Sequence, residues 1–352
     1  MDDEGRKKRY RPLVQMIIAR LRDFWREPAA VFWVYGFPLI MMVALGVAFR
    51  NRPDEMSTVV VQQGNDSEHI TTTLSDSQRF VVTAAPADEA LQALRTGRAD
   101  LLVVGNYAKQ YGYHYDPTKP GGLLARNAVQ DVLERAAGRQ DVLTSVDHHL
   151  DEPGGRYIDF LVPGLIGMGL MGGGLWGVGF AIVDMRVRKL LKRFLATPMK
   201  RSHFLLSVMI SRLIFLLPEV LFMVIISRIL FGVVNQGSYG TIALFVVLGG
   251  FQFAGIGLLV ACRARTLETV SGLMNLVMLP MWMASGIFFS ADRFPSAIQP
   301  VLNVLPLKPL IDALRQTMLE GASISDLLPE LSIMSVWTVV TFALALSWFR
   351  WE

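Results

Sequence analysis

Six apolar runs, each long enough to cross a bilayer, leave this chain few folds to choose from. Residues 29–49, 160–183, 240–261, 270–289 and 331–349 contain no charged side chain, and 204–232 is interrupted only by Arg212, Glu219 and Arg228. About 20 helical residues, at a rise of about 1.5 Å each, cross a hydrocarbon core of roughly 30 Å. Composition agrees: 52% of the chain is hydrophobic, mean hydropathy is +0.39, and 18% is charged, against about 25% in a soluble domain. The expectation is an α-helical polytopic membrane protein with six transmembrane helices. Residues 1–28 have no apolar core before Pro28, and no small-residue cleavage pattern follows the first run, so residues 29–49 read as a retained anchor.

Charge orients the spans. Residues 1–28 hold eight Lys/Arg, and 184–202 hold seven. Arg263, Arg265 and Arg350 follow the fourth and sixth spans. The intervening segments differ: 50–156 has 11 basic and 15 acidic residues, 232–239 has no charge, and 290–330 has three basic and five acidic residues. Basic short loops stay in the cytoplasm. Both termini are therefore expected to be cytoplasmic, and the block 50–156 extracytoplasmic.

The segment "RVRKLLKRFLATPMKR" (186–201) carries more than a topology signal. Val187, Leu190, Leu191, Phe194 and Leu195 fall at i, i+3, i+4, i+7 and i+8, one face of a single helix, with Arg186, Arg188, Lys189, Lys192 and Arg193 on the rest. Thr197-Pro198 should stop that helix, and Ser202 should cap the next. Such a helix suits a lipid surface or a groove in a cytoplasmic partner. Residues 12–26 read similarly, as an interfacial helix opened by Pro12, with Val14, Ile17, Ile18, Leu21 and Trp25 on one face.

The hydrophilic block reads as a folded α/β domain. Strands are expected at 57–63, 79–85, 100–105 and 111–117, and helices at 86–99 and from Gly121 to about Leu150. Alternation of strand and helix favours a small α/β domain inserted between spans one and two. Two short helices, each opened by Pro, are expected within 292–320, lying outside.

Few residues carry chemistry. Glu219 follows Pro218 near the middle of the third run, where an ionisable group is costly and faces protein or a water-filled cavity. Arg212 and Arg228 are seven and nine residues away, beyond i+3 or i+4 pairing, so its partner is expected on another element. Gly169, Gly173 and Gly177 have the spacing of a close helix-packing face. His148 and Glu152 in "DHHLDE" would supply only two metal ligands, and Cys262 is the only cysteine. No metal, cofactor or catalytic residue is expected. No G-x-x-x-x-G-K-[ST] phosphate loop occurs, so any ATP is bound elsewhere.

The stretches "ALQALRTGRADLLVV" with "YHYDPTKP", then "RKLLKRFLATPMKRSHFLLS", then "SGIFFSADRFPSAIQPVLNVLPLKPLIDALRQ", in that order around six spans, resemble the ABC type-2 transporter permeases. Within that family the chain is similar to the subgroup with an extracytoplasmic domain after the first span. The resemblance implies a cell-membrane permease of an ATP-driven exporter, carrying a hydrophobic or amphipathic substrate such as a lipid or drug. It implies three partners: a separate cytoplasmic ABC ATPase that binds the ATP, a second permease copy or a related permease, and the lipid bilayer. No nucleic acid is implied. It also makes 184–202 the coupling loop, with Arg188, Leu190, Leu191, Lys192, Phe194 and Leu195 as the coupling helix and Leu191 and Phe194 as anchors. The alternatives are a membrane sensor, which lacks a cytoplasmic segment long enough for a signalling domain, and an intramembrane enzyme, for which no catalytic constellation stands out.

Overall fold

The computed structural model describes residues 12–49, 56–64, 66–106, 110–140, 155–195 and 201–348. The elements begin with α1 (Pro12–Arg26) and α2 (Pro28–Ala48). A small sheet region follows: β1 (Ser57–Gln62), α3 (Ser67–Asp76), β2 (Phe80–Ala85), α4 (Ala87–Arg95), β3 (Leu101–Asn106), β4 (Gln110–His114) and α5 (Pro120–Ala136). The rest is helical: α6 (Tyr157–Val187), α7 (Leu190–Leu195), α8 (Arg201–Phe231), α9 (Tyr239–Ala261) and α10 (Leu267–Ala284). α11 (Gln299–Val304), α12 (Leu307–Arg315) and α13 (Leu328–Trp348) complete it. By length and composition α2, α6, α8, α9, α10 and α13 are six candidate membrane spans, within a few residues of the runs expected from hydropathy. The chain divides into two compact units, one of residues 51–149 and one of residues 1–50 with 150–352.

In the helical unit, spans two and four form the centre. The most apolar windows of α6 and α9 are 61% and 67% buried, against 17–33% for the other spans. Glycine explains this placement. A Cβ on Gly174 would strike the backbone at Phe253, one on Gly257 the Gly174 carbonyl, and one on Gly179 the Gly257 carbonyl. Bare backbones therefore touch where any side chain would hold the helices apart. α1 lies against span three, with the Phe24 ring centroid 4.1 Å from that of Phe215. Span one widens into a π-helical turn at Phe32–Gly36 just before Pro38. That turn accommodates a ring that crowds the preceding turn and offers no N–H.

The segment between spans five and six holds the two short helices expected there. Leu307, Leu310, Ile311, Ala313 and Leu314 of α12 are fully buried. The Gln252 side chain, near the middle of α9, donates to the Pro306 carbonyl at 2.9 Å. The Trp337 indole, near the middle of α13, donates to the Val304 carbonyl at 2.8 Å. The α11–α12 turn thus reaches the middle of spans four and six, so these helices re-enter the bundle. Its backbone is acceptable there because protein side chains supply the missing hydrogen bonds. The segment closes in a π-helical turn (Gln316–Glu320) and a left-handed Gly321 at φ 70°.

The smaller unit is an α/β fold with strand order β2-β1-β3-β4. β1 pairs in parallel with β2 and β3, and β4 is antiparallel to β3. Val59, Val60 and Val61 are all buried because helices cover both faces, as parallel sheets require. α3 and α5 pack Ile70, Leu74, Ala125 and Val129 on one side, and α4 packs Ala90 on the other. α3 was not expected. α5 ends at Ala136 rather than running on to about Leu150. His148 and Glu152 lie outside the described residues.

Candidate functional site

Span three carries two charges on one face. Seven residues make about two turns and a rise of about 10.5 Å, with only about 20° of angular drift. Arg212 and Glu219 therefore share a face, and the long arginine side chain closes the gap: its Nη2 donates to Glu219 Oε2 at 3.0 Å. Their side chains are 6% and 7% exposed. This corrects the expectation that the partner of Glu219 must come from another element. The short-range pairing rule omits a two-turn reach by an arginine.

The groove for this pair comes from span two. A Cβ on Gly173 would overlap the Arg212 guanidinium, and one on Gly169 would overlap Glu219 Oε1. At Gly177 a Cβ would lie 3.4 Å from Arg212 Cδ. Arg212 Nη2 also reaches the Gly169 carbonyl at 3.4 Å, whereas its buried Nε finds no hydrogen-bond partner among the described residues. The Gly169/Gly173/Gly177 stripe receives side chains, and the backbone-to-backbone contact is made by Gly174 and Gly179 instead. On the other side of the pair, Tyr35 of span one donates to the Phe215 carbonyl at 2.9 Å.

The basic loop is not one continuous helix. Span two runs to Val187, the backbone turns through left-handed Lys189 at φ 58°, and α7 starts at Leu190. Val187 therefore does not share a helix with Leu190 and Leu191. Leu191 is 1% exposed and belongs to the core of its own unit, so it is not a free anchor for a partner. Leu190 is half-buried, while Arg188, Lys189, Lys192 and Arg193 are exposed. The side chains of Phe194 and Leu195 lie outside what is described, as do residues 196–200. Ser202 lies inside α8 rather than before it. Arg186 is spent internally, donating to the carbonyls of Ala261 at 2.9 Å and Ala264 at 2.6 Å at the end of span four. Arg188 pairs with Asp184 at 2.9 Å on the surface.

The opposite ends of spans two and three are also tied. Arg156 pairs with buried Asp159 at 2.9 Å and donates to the Phe231 carbonyl at 2.8 Å. Sequence reasoning missed Arg156 and Arg186, because a lone arginine beside a span does not announce which carbonyl it will cap. Two cavities adjoin this framework. An apolar one of about 290 Å³ is lined by Val178, Ile182, Val208, Ala254, Leu258 and Phe342. A polar one of about 310 Å³ is lined by Phe160, Lys308, Asp312, Arg315 and Glu320 among others.

Six helices long and apolar enough to cross a bilayer, packed around a glycine-filled centre, define a multi-pass membrane protein. The sequence profile of the ABC-2 family transporter proteins matches residues 28–347, and the chain belongs to that family. It is 25% identical over 176 residues to the linearmycin resistance permease protein LnrN of Bacillus subtilis, covering 50% of this chain and 46% of that protein. It is 30% identical over 105 residues to nodulation protein J of Rhizobium leguminosarum bv. viciae, covering 30% and 40%. It is 24% identical over 173 residues to the inner membrane transport permease YhhJ of Escherichia coli, covering 49% and 46%. The chain thus spans less than half the length of each of these curated relatives. Proteins of this family are the membrane subunits of ABC transporters, typically in the bacterial inner membrane. They work with a cytoplasmic ATPase and are not ATPases themselves.

Proposed function

We propose that this chain is the permease subunit of an exporter that moves a lipid-like or drug-like amphiphile from the cytoplasm or the inner leaflet outward. The family match across residues 28–347 carries the reading. A separate ATPase docks on the basic face around α7, where Arg188, Lys189, Lys192 and Arg193 are exposed. The residues flanking the spans on that side are cytoplasmic, and the 51–149 unit is extracytoplasmic, by the distribution of basic residues. A second permease, identical or related, completes the path. The apolar cavity beside spans two, three, four and six favours an amphiphile over an ion or a sugar.

Reconstitution tests this. In proteoliposomes containing the chain and its ATPase, ATP hydrolysis should rise with amphiphilic lipids and drugs, and ATP should drive their movement. Hydrolysis indifferent to every amphiphile, but responsive to a sugar or an ion, would contradict the substrate class.

A further inference from the structure

Spans two and three are consecutive, and α7 is part of the short connection between them. They are held together at two levels. At mid-span, the Arg212–Glu219 pair fills the space left by Gly169 and Gly173. At the far end, Arg156 joins the first turn of span two to the last carbonyl of span three. The mid-span contact is the unusual one. The two charges sit on one helix and pair with each other directly, so the ion pair takes no charge from span two. Span two nevertheless has no side chain at the two positions where one would collide with it. Gly172, one residue away, faces open space, so the room is specific to the pair.

We infer that Arg212 and Glu219 are positioning residues that key span three into the glycine groove of span two, making the two spans one lever. Motion imposed at α7 then reaches the far end of both spans together. The inference rests on the proposed docking of an ATPase at α7. A slide of one span past the other would carry the guanidinium and carboxylate off the two glycines toward Leu165 or Ile166, one turn along the same face, or strip them of each other. Either outcome is unfavourable for buried charge. Well-packed interfaces of this kind behave as discrete arrangements rather than soft springs, as mechanical coupling requires.

The test uses spin labels at Val187 and Ile214, both exposed, in the purified full chain. Their distance distribution should stay narrow in the wild type, in Gly172→Ala and in the exchange Arg212→Glu with Glu219→Arg, which keeps a pair. It should broaden or shift in Gly173→Ala and in Glu219→Leu. In the complex with its ATPase, those two variants should also move roughly tenfold less substrate per ATP hydrolysed, while the exchange variant recovers most of that loss. An intact melting transition in the exchange variant separates these effects from failure to fold. An unchanged distribution in both Gly173→Ala and Glu219→Leu would overturn the keying. A broadened distribution with normal substrate moved per ATP would overturn its role in coupling. Absence of ATP-driven export by the wild type would instead sink the proposed function and leave the distance result standing.

Discussion

Removing one charge from the Arg212–Glu219 pair is a different experiment from removing both. Glu219→Leu alone leaves Arg212 buried without a counter-charge, which costs about 3–5 kcal/mol. Arg212→Met together with Glu219→Leu replaces the pair by apolar groups and should recover most of that loss. Thermal melting of the purified chain in detergent checks this; a double variant whose loss equals the sum of the two single losses would show that the charges do not interact. Part of this site is legible in the sequence. Glu219 stands out because a carboxylate in an apolar run has few reasons to be there. Its partner does not, because pairing rules drawn from exposed helices stop at one turn. The groove is equally hidden: Gly169 and Gly173 have the spacing of a helix-packing motif, and only the neighbouring helix reveals that they receive side chains.

Glycine contacts and the break at Lys189 decide how the elements pack. Gly257→Ala would push a methyl group into the Gly174 carbonyl, and overpacking of this kind costs about 1–3 kcal/mol. Gly272→Ala, which meets open space, should be neutral or slightly stabilising, since alanine is the better helix former by about 1 kcal/mol. Equal melting temperatures for the two variants would contradict the close approach of spans two and four. In α7, Leu191→Asp should lower the stability and membrane yield of the chain itself, because Leu191 faces its own core. Lys192→Gln, on the exposed side, should leave both unchanged and act only on ATPase binding; the reverse pattern would mean that α7 is turned the other way. The spans were readable because hydropathy alone sets them. α3 was missed because "SEHITTTLSD" offers only Ile70 and Leu74 to the core among β-branched and polar residues. How deeply α12 is buried was not legible, because an amphipathic pattern does not tell a surface helix from one re-entering a bundle.

For the whole molecule, the proposed topology rests on hydropathy and basic-residue counts together. Cysteines placed at Ser67 and Ser323 should react with an impermeant reagent added outside intact cells, and one at Ser202 should react only after the membrane is opened. Labelling at Ser202 from outside would invert the orientation and remove the proposed docking face from the cytoplasm. The α/β character of the 51–149 unit was legible from its alternating strands and helices, with the central strand apolar at Val59, Val60 and Val61 in succession. What the sequence alone could not show was which helix lies at the centre, since glycine-rich runs look alike until their neighbours are known. The proposed function requires a separate ATPase to engage this chain at the loop between spans two and three. The direct measurement places a photo-crosslinking residue at Arg193, or at Ser323 as a control, and isolates the complex from cells. Position 193 should cross-link to a nucleotide-binding protein, and position 323 should not. A nucleotide-binding protein that co-purifies with the chain but cross-links only from position 323 would contradict this docking.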